Sequence, residues 1–202
     1  MPEFNLHSLF DNSIGKPSFL ANISLSPDKR EILRGSRTTV RARIRRDVNR
    51  ALQQLVGGEN QSPLSPRFFT QGSYAYKTLN SPYRPPTQQA DLDDGVYFPF
   101  SYVESMPPKI MSELLWRAVD SVLAVIAKEM RWRLITSNAN CSRLVIAEDM
   151  HLDVPLYSVP DIEFSSLVEA RFQTRAISDE LSIDDDWSLL PTSGVLMVNK
   201  EL

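Results

Sequence analysis

Residues 90–98 have the sequence ADLDDGVYF, in which apolar and acidic side chains alternate. Successive side chains of a β-strand point to opposite faces, so Asp91 and Asp93 would share one face. Leu92 and Val96 would lie on the other face and enter a core. Two adjacent carboxylates repel each other unless a cation binds between them, and Mg²⁺ prefers such oxygen ligands. The stretch therefore predicts a strand with a metal site, although a solvated Asp-rich turn is the commoner meaning of such a pattern in isolation.

A second alternating stretch, residues 151–156, supplies a third carboxylate. Leu152 and Val154 fall on one face of the predicted strand and leave Asp153 on the other. If this strand lay beside the first one, Asp153 would complete a site of three carboxylates. Asp149 has the same parity and is the alternative ligand.

The motif Gln71-Gly72-Ser73 follows a short apolar stretch at residues 67–70, which predicts a strand. The missing side chain of Gly72 would let a phosphate approach the backbone closely. Backbone N–H groups and the Ser73 hydroxyl could then donate hydrogen bonds to a triphosphate. A single Gly-Ser pair is weak evidence, but its combination with the two carboxylate strands is specific.

Two long helices and several strands predict an α+β fold with a mixed or antiparallel sheet. Ser26 would cap the first helix, which runs from Pro27 to about Val56 and ends at Gly57-Gly58. The second helix is predicted from Pro107 and Pro108 to about Met130. Residues 1–25 are expected to form an irregular arm, and residues 26–202 a single domain with further strands at 132–136, 143–147, 151–159 and within 194–200.

The first long helix is strongly basic, with arginines recurring from Arg30 to Arg50 and few acidic residues among them. One interpretation is a surface that binds phosphates or an acidic polymer. The other, which is more common for runs of charge, is a solvated helix face.

Composition excludes several classes of protein. The 202 residues carry a net charge of −3, so nothing attracts the whole chain to nucleic acid or to an anionic membrane. The single cysteine, Cys141, rules out an internal disulfide and a Cys-rich zinc site, and two histidines rule out a multi-histidine site. A metal site would therefore consist mainly of carboxylates. No apolar stretch is long enough for a membrane span, and the expected location is the cytoplasm.

Three motifs together resemble the signature of polymerase-beta-type nucleotidyltransferases: Gln71-Gly72-Ser73-Tyr74, residues 91–97 and Leu152-Asp153-Val154-Pro155. More narrowly, the chain resembles the bacterial cGAS/DncV-like nucleotidyltransferases (CD-NTases) over roughly residues 28–200. The long Pro-rich separation between Ser73 and Asp91, and the Asp-Asp-Gly-x-Tyr ending, favour this narrower family.

The resemblance implies a palm-like sheet beside a long N-terminal spine helix, with a helical C-terminal half that is apparently missing here. It implies a Mg²⁺-dependent enzyme that joins nucleoside triphosphates (ATP, and GTP or a pyrimidine nucleotide) into a cyclic di- or trinucleotide and releases pyrophosphate. It also implies that the product serves anti-phage signalling and that regulatory proteins of the defence system are partners.

The same resemblance assigns roles to the site residues. Asp91 and Asp93 would bind both of two Mg²⁺ ions, and Asp153 would bind the ion that activates the attacking hydroxyl. Gln71, Gly72 and Ser73 would hold the triphosphate.

Two alternatives stay open at this point. A related nucleotidyltransferase could make a linear product, for instance by adding nucleotides to RNA held on the basic helix. A catalytically silent nucleotide-binding module could also have this fold, although all three carboxylates are present.

Overall fold

The computed structural model describes residues 18–57, 64–101, 107–162, 164 and 194–200. In this part of the chain, strands form one mixed sheet, and two long helices pack against each other and against the sheet. The predicted α+β class is confirmed. The part of the predicted arm at residues 1–17 lies outside the described residues.

The helices begin and end close to their predicted bounds. The Ser26 hydroxyl accepts a hydrogen bond from the Lys29 N–H at 3.4 Å, and Gly57 ends the same helix with a left-handed backbone (φ 73°). One difference is a short helix within the predicted irregular arm, at whose start the Ser18 side chain accepts a hydrogen bond from the Ala21 N–H. The helices are α1 (Phe19–Ile23), α2 (Pro27–Val56), α3 (Gly72–Ala75) and α4 (Pro108–Met130). None of the helices in the described residues is long and apolar enough to cross a bilayer.

The strands are β1 (Arg67–Gln71), β2 (Ala90–Pro99), β3 (Arg133–Ile135), β4 (Cys141–Ala147), β5 (Met150–Val159) and β6 (Leu196–Met197). They follow the order β1-β2-β5-β4-β3, with β6 paired to β5. The β2–β5 pair is parallel, and every other pair among the described strands is antiparallel. The β4 and β5 strands form a hairpin, and β3 is shorter than predicted.

The core lies between the sheet and the two long helices. Side chains from one face of the sheet meet the apolar stripes of α2 and α4, and the helices bury them almost completely. Two isoleucines of these helices, Ile32 and Ile110, lie outside the core and are 47% and 50% exposed. The main core residues are Leu33, Val40, Ile44, Val48, Leu92, Val96, Phe98, Leu115, Val119, Leu123, Leu144, Leu152 and Leu156.

Two arginines of the basic helix fit neither interpretation of its charge, because they are buried. Arg37 and Arg41 are 6% and 3% exposed and point at the sheet. Arg41 binds both carboxylate oxygens of Asp94, at 2.8 and 2.5 Å, and both arginines donate to the Thr70 hydroxyl. Asp94 is 1% exposed, and a buried carboxylate needs such a partner.

Candidate active site

The three predicted carboxylates lie together on the sheet face opposite the core. Parallel pairing sets Asp93 directly beside Asp153, and Asp91 beside His151. Residues paired in this way point to the same face, so the carboxylates of Asp91, Asp93 and Asp153 share one patch. The sheet register therefore brings the three side chains together, as the sequence predicted.

The pKa of Asp93 is raised, first by burial and then by its acidic neighbours. Burial raises the pKa of Asp93 to about 6, and the neighbouring Asp91 and Asp153 raise it in the same direction. His151 and Arg143 oppose the shift but do not cancel it. The site therefore has an excess of negative charge that a cation would relieve.

Asp153 is held by an arginine that sequence analysis did not identify. Arg143 on β4 donates from its Nε and NH2 groups to the two oxygens of Asp153, both at 2.7 Å. Asp153 in turn raises the pKa of Arg143 through these hydrogen bonds. Asp153 is only 6% exposed, so few other groups can bind its carboxylate, and the two bonds from Arg143 fix its orientation. The alternative ligand Asp149 is bound by Lys29 at 2.5 Å and lies in the β4–β5 turn.

A histidine that was not assigned a role also lies in the patch. His151 is 6% exposed, and its Nε2 atom lies 2.9 Å from Oδ1 of Asp91. Ligand atoms of Asp91, His151 and Asp153 all lie within 4.8 Å of one another. The sequence could have predicted this position, because His151 lies two residues before Asp153 and therefore on the same face of the strand.

The Gln71-Gly72-Ser73 motif adjoins the carboxylates, because Gln71 pairs with Asp93 across β1 and β2. Gly72 has a φ of 64°, and a Cβ atom there would collide with the Asp93 carboxylate. Glycine is thus required for two reasons, the backbone conformation and the close approach of Asp93. Ser73 follows in α3, half-buried at the edge of the patch.

The side-chain amide of Gln71 is engaged within the protein. It donates to the Tyr97 hydroxyl and accepts a hydrogen bond from the Tyr157 hydroxyl at 3.0 Å. The two tyrosine rings stack with centroids 4.8 Å apart. In this arrangement the tyrosines hold the Gln71 side chain, and its predicted role toward a triphosphate stays a prediction.

The donor set fits a divalent cation. Oδ1 of Asp91 and Nε2 of His151 are buried and lie within ion-pair distance of each other. The three carboxylates on the patch offer the oxygen ligands that a hard divalent cation binds. Burial raises the pKa of the nearby Cys141 thiol to about 11, which keeps it protonated at neutral pH and unsuited to be a ligand.

Comparison with known proteins agrees with this geometry. Residues 66–157 match the family profile described as cyclic GMP-AMP synthase DncV-like, nucleotidyltransferase domain. That range contains β1, β2, β4 and, as far as Tyr157, β5, and with them every residue assigned to the site.

Two curated relatives bear the name cyclic GMP-AMP synthase. One, from Vibrio cholerae serotype O1, is 35% identical over 150 residues, which cover 68% of this chain and 34% of the relative. The other, from Escherichia coli strain TW11681, is 40% identical over 119 residues, covering 58% of this chain and 27% of the relative. The match thus spans between about a quarter and a third of the length of these relatives.

A solved structure with the same fold is a mutant of the Vibrio cholerae di-nucleotide cyclase DncV, in complex with ATP, GTP and 5MTHFGLU2. The TM-score is 0.71 at 24% identity, and the match covers 98% of this chain and 58% of that one. The predicted palm sheet with a long N-terminal helix is confirmed by this likeness.

Proposed function

This chain belongs to the DncV-like nucleotidyltransferase family, and from that membership we propose that it carries the catalytic site of an enzyme that joins nucleoside triphosphates into a cyclic dinucleotide. The observation that carries the proposal is the β2–β5 register, which sets Asp91, Asp93 and Asp153 on one patch. The Gly72 turn adjoins the same patch. Carboxylates and a phosphate-binding turn are the two parts that metal-assisted phosphoryl transfer requires.

Asp91, Asp93 and Asp153 would hold two Mg²⁺ ions. When bound, such ions lower the pKa of an attacking hydroxyl and stabilise the charge on the departing pyrophosphate, so no side chain need act as the general base. Arg143 orients the Asp153 carboxylate for this purpose. Backbone N–H groups at Gly72 and the Ser73 hydroxyl would bind the triphosphate, with Gln71 contributing at the end of β1.

For substrates we propose ATP and GTP, which the DncV structure contains, and for the product the cyclic GMP-AMP in the names of the two relatives. Following the family resemblance, we further propose a cytoplasmic enzyme that signals in anti-phage defence together with regulatory proteins. These proposals concern the whole protein, since the relatives extend well beyond the part matched here.

Internal pairing weighs against the alternative of an RNA-tailing enzyme. Arg37 and Arg41 are buried against Thr70 and Asp94, and Arg43 binds Glu129 at 2.6 and 3.1 Å. Arginines engaged in this way contribute little to holding a polyanion on the helix surface.

The proposed reaction is tested by the mass of its products. The protein at its full natural length is incubated with all four nucleoside triphosphates and Mg²⁺, with and without RNA. We expect a cyclic dinucleotide and pyrophosphate without any need for RNA. A lengthened RNA and no cyclic product would contradict the proposal in favour of the tailing enzyme, and no turnover of any nucleotide would favour a silent module.

Ser73→Ala is expected to lower catalytic efficiency by about 10- to 150-fold. The variant removes one hydrogen bond to a charged phosphate oxygen, worth roughly 1.5–3 kcal/mol, and about 1.4 kcal/mol corresponds to tenfold. Initial rates measured against ATP concentration test this value. Unchanged kcat and KM would show that the hydroxyl does not contact the triphosphate.

Gly72→Val is expected to be more damaging than Ser73→Ala. The valine side chain would have to adopt a positive φ and would collide with the Asp93 carboxylate, which would displace a metal ligand. Thermal denaturation separates this local effect from unfolding. Activity equal to that of the unaltered protein would contradict the assigned role of the turn.

A further inference from the structure

The two long helices enclose a cleft on the side of the molecule away from the carboxylate patch. The carboxylates lie on the sheet face opposite the core, whereas α2 and α4 cover the other face. The cleft between these helices has a volume of about 400 Å³, toward the lower end of the range for small-molecule sites. Arg43, Arg46 and Arg50 of α2 line it, together with Val122 and Val125 of α4.

The arginines of this cleft belong to a different stripe of α2 from the two arginines that face the sheet. Residues three and four apart on a helix are neighbours, so Arg43, Arg46 and Arg50 follow one line along its surface. Arg37 and Arg41, by contrast, are buried on the sheet side. The side chains of Arg43 and Arg46 are 21% and 62% exposed, so the cleft opens to solvent.

Two carboxylates neutralise two of the three guanidinium groups. Arg43 binds Glu129 at 2.6 and 3.1 Å, and Arg46 binds the two oxygens of Asp47 at 2.9 and 2.8 Å. These hydrogen bonds lower the pKa of both carboxyl groups, so both stay ionised at neutral pH. Arg50 makes no hydrogen bond or ion pair within the described part of the chain. The cleft therefore holds one excess positive charge.

An anion between Arg46 and Arg50 would relieve the repulsion of these two like charges. They are four residues apart on the helix, and like charges at this spacing destabilise it. Within the described residues Arg46 uses two of the five N–H donors of its guanidinium and Arg50 uses none. Two guanidinium groups that approach from different sides need several acceptor oxygens. A phosphate monoester offers three, whereas a carboxylate offers two.

The α4 side of the cleft adds an apolar surface beside these cations. Val122 is buried there, and Val125 is 48% exposed. Ser121 also lines the cleft, but its hydroxyl donates to the Ala118 carbonyl oxygen at 2.7 Å and has no hydrogen left for a ligand. A ligand that covers Val125 removes apolar surface from water, which is favourable. The site thus fits a phosphate group attached to an apolar body.

We propose that the α2–α4 cleft binds a small phosphate monoester, whose phosphate lies between Arg46 and Arg50 and whose apolar body covers Val125. The inference goes beyond the proposed function, because the cleft and the carboxylate patch lie on opposite sides of the core. Binding here requires neither a divalent cation nor a nucleoside triphosphate. A volume of about 400 Å³ suits a small molecule rather than a segment of another protein.

The test is a titration of the protein at its full natural length with phenyl phosphate, in the presence of a chelator, followed by NMR of the arginine Nε–H groups. We expect saturable shifts of the Arg46 and Arg50 signals at millimolar concentration. Arg50→Gln removes the unpaired charge and should weaken binding about tenfold, the value for one hydrogen bond to a charged group at an exposed position.

The matched control is Arg34→Gln. It removes the same charge from an exposed position of the same helix outside the cleft. The affinity for phenyl phosphate should change by less than about twofold, because solvent and salt screen a charge at that distance.

Val125→Thr tests the apolar part of the proposal, because threonine keeps the shape of valine and adds a hydroxyl. Phenyl phosphate should bind the unaltered protein about tenfold more tightly than inorganic phosphate does, since its ring leaves water. In the variant this advantage should fall to about threefold or less, while the affinity for inorganic phosphate stays the same. Val125 is half-exposed, so the variant is expected to fold.

Four results would overturn the proposal. The first is the absence of a saturable shift at Arg46 and Arg50, and the second is an unchanged affinity in Arg50→Gln. The third is an equal loss in Arg34→Gln, which would show attraction by net charge alone. The fourth is inorganic phosphate binding as tightly as phenyl phosphate, because the ligand would then need no apolar body. None of these measurements depends on nucleotidyl transfer.

Discussion

Asp93→Asn is expected to lower nucleotidyl transfer by about 1000-fold or more. The substitution keeps the shape of the side chain but removes the charge that would hold a divalent ion. Such an ion is worth several kcal/mol of transition-state stabilisation, and about 1.36 kcal/mol corresponds to tenfold in rate. Glu113→Gln, which neutralises an exposed carboxylate on α4, is the matched control and should keep full activity.

The same variant should be at least as stable as the unaltered protein when no metal is present. Burial and the neighbouring carboxylates raise the pKa of Asp93 to about 6, above the value of a carboxyl in the unfolded chain. The folded state therefore loses stability as the pH rises from about 4 through 6, because Asp93 must ionise beside Asp91 and Asp153. Asparagine cannot ionise, so the variant should have a free energy of unfolding about 1 kcal/mol higher at pH 7. The gain is this small because solvent screens the charge of a half-exposed group.

Urea denaturation of both proteins in the presence of a chelator, at pH 4 and at pH 7, measures this effect. A variant that is strongly destabilised yet still transfers nucleotides would make Asp93 a structural residue and contradict its assignment as a metal ligand.

Asp94→Ala is expected to destabilise the fold by about 3–5 kcal/mol. The substitution leaves Arg41 buried without its carboxylate partner, and loss of one member of a buried pair has a cost of this size. It also removes an acceptor of the Thr70 hydroxyl, which lies 3.2 Å from Oδ1 of Asp94. The free energy of unfolding from urea titration measures the loss.

An exposed ion pair on the same helix is the comparison for this prediction. Arg34 binds Glu31 at 2.5 Å, but both side chains are about 60% exposed. Glu31→Ala should therefore cost less than about 1 kcal/mol. If Asp94→Ala were as mild as Glu31→Ala, the buried network would not be what joins α2 to the sheet near the site.

Alternation of side chains was enough to predict both strands of the site and the faces of their residues. This prediction succeeds because a period of two belongs to any strand with one buried face. The pairing that sets Asp93 beside Asp153 could only be a hypothesis from sequence. It depends on the packing of β2 and β5 under the helices, which no local pattern contains.

Sequence analysis assigned no role to Asp94 and His151, although their positions along the strands predict which face each side chain occupies. Asp94 has the parity of Leu92 and Val96, so its carboxylate had to enter the core and to find a cation there. Which arginine of the helix would meet it could not be predicted, because several recur along α2. His151 has the parity of Asp153 on the same strand, so its ring had to lie on the face that carries the carboxylates.

The engagement of Gln71 lay beyond sequence reasoning for a different reason. Its partners Tyr97 and Tyr157 come from two other strands, far along the chain, and they meet only when the sheet has formed. Gln71 could contact a triphosphate through its backbone at the turn or through its side chain. A structure with bound nucleotide distinguishes these two contacts.

The most direct test of the metal-dependent nucleotide site is a crystal structure of the protein with a nonhydrolysable ATP analogue and Mn²⁺, with the ions located by anomalous scattering. We expect two peaks among the carboxylates of Asp91, Asp93 and Asp153, about 3.5–4 Å apart. The triphosphate should lie against Gly72 and Ser73. Nucleotide bound elsewhere, or ions beyond ligand distance of all three carboxylates, would contradict the account.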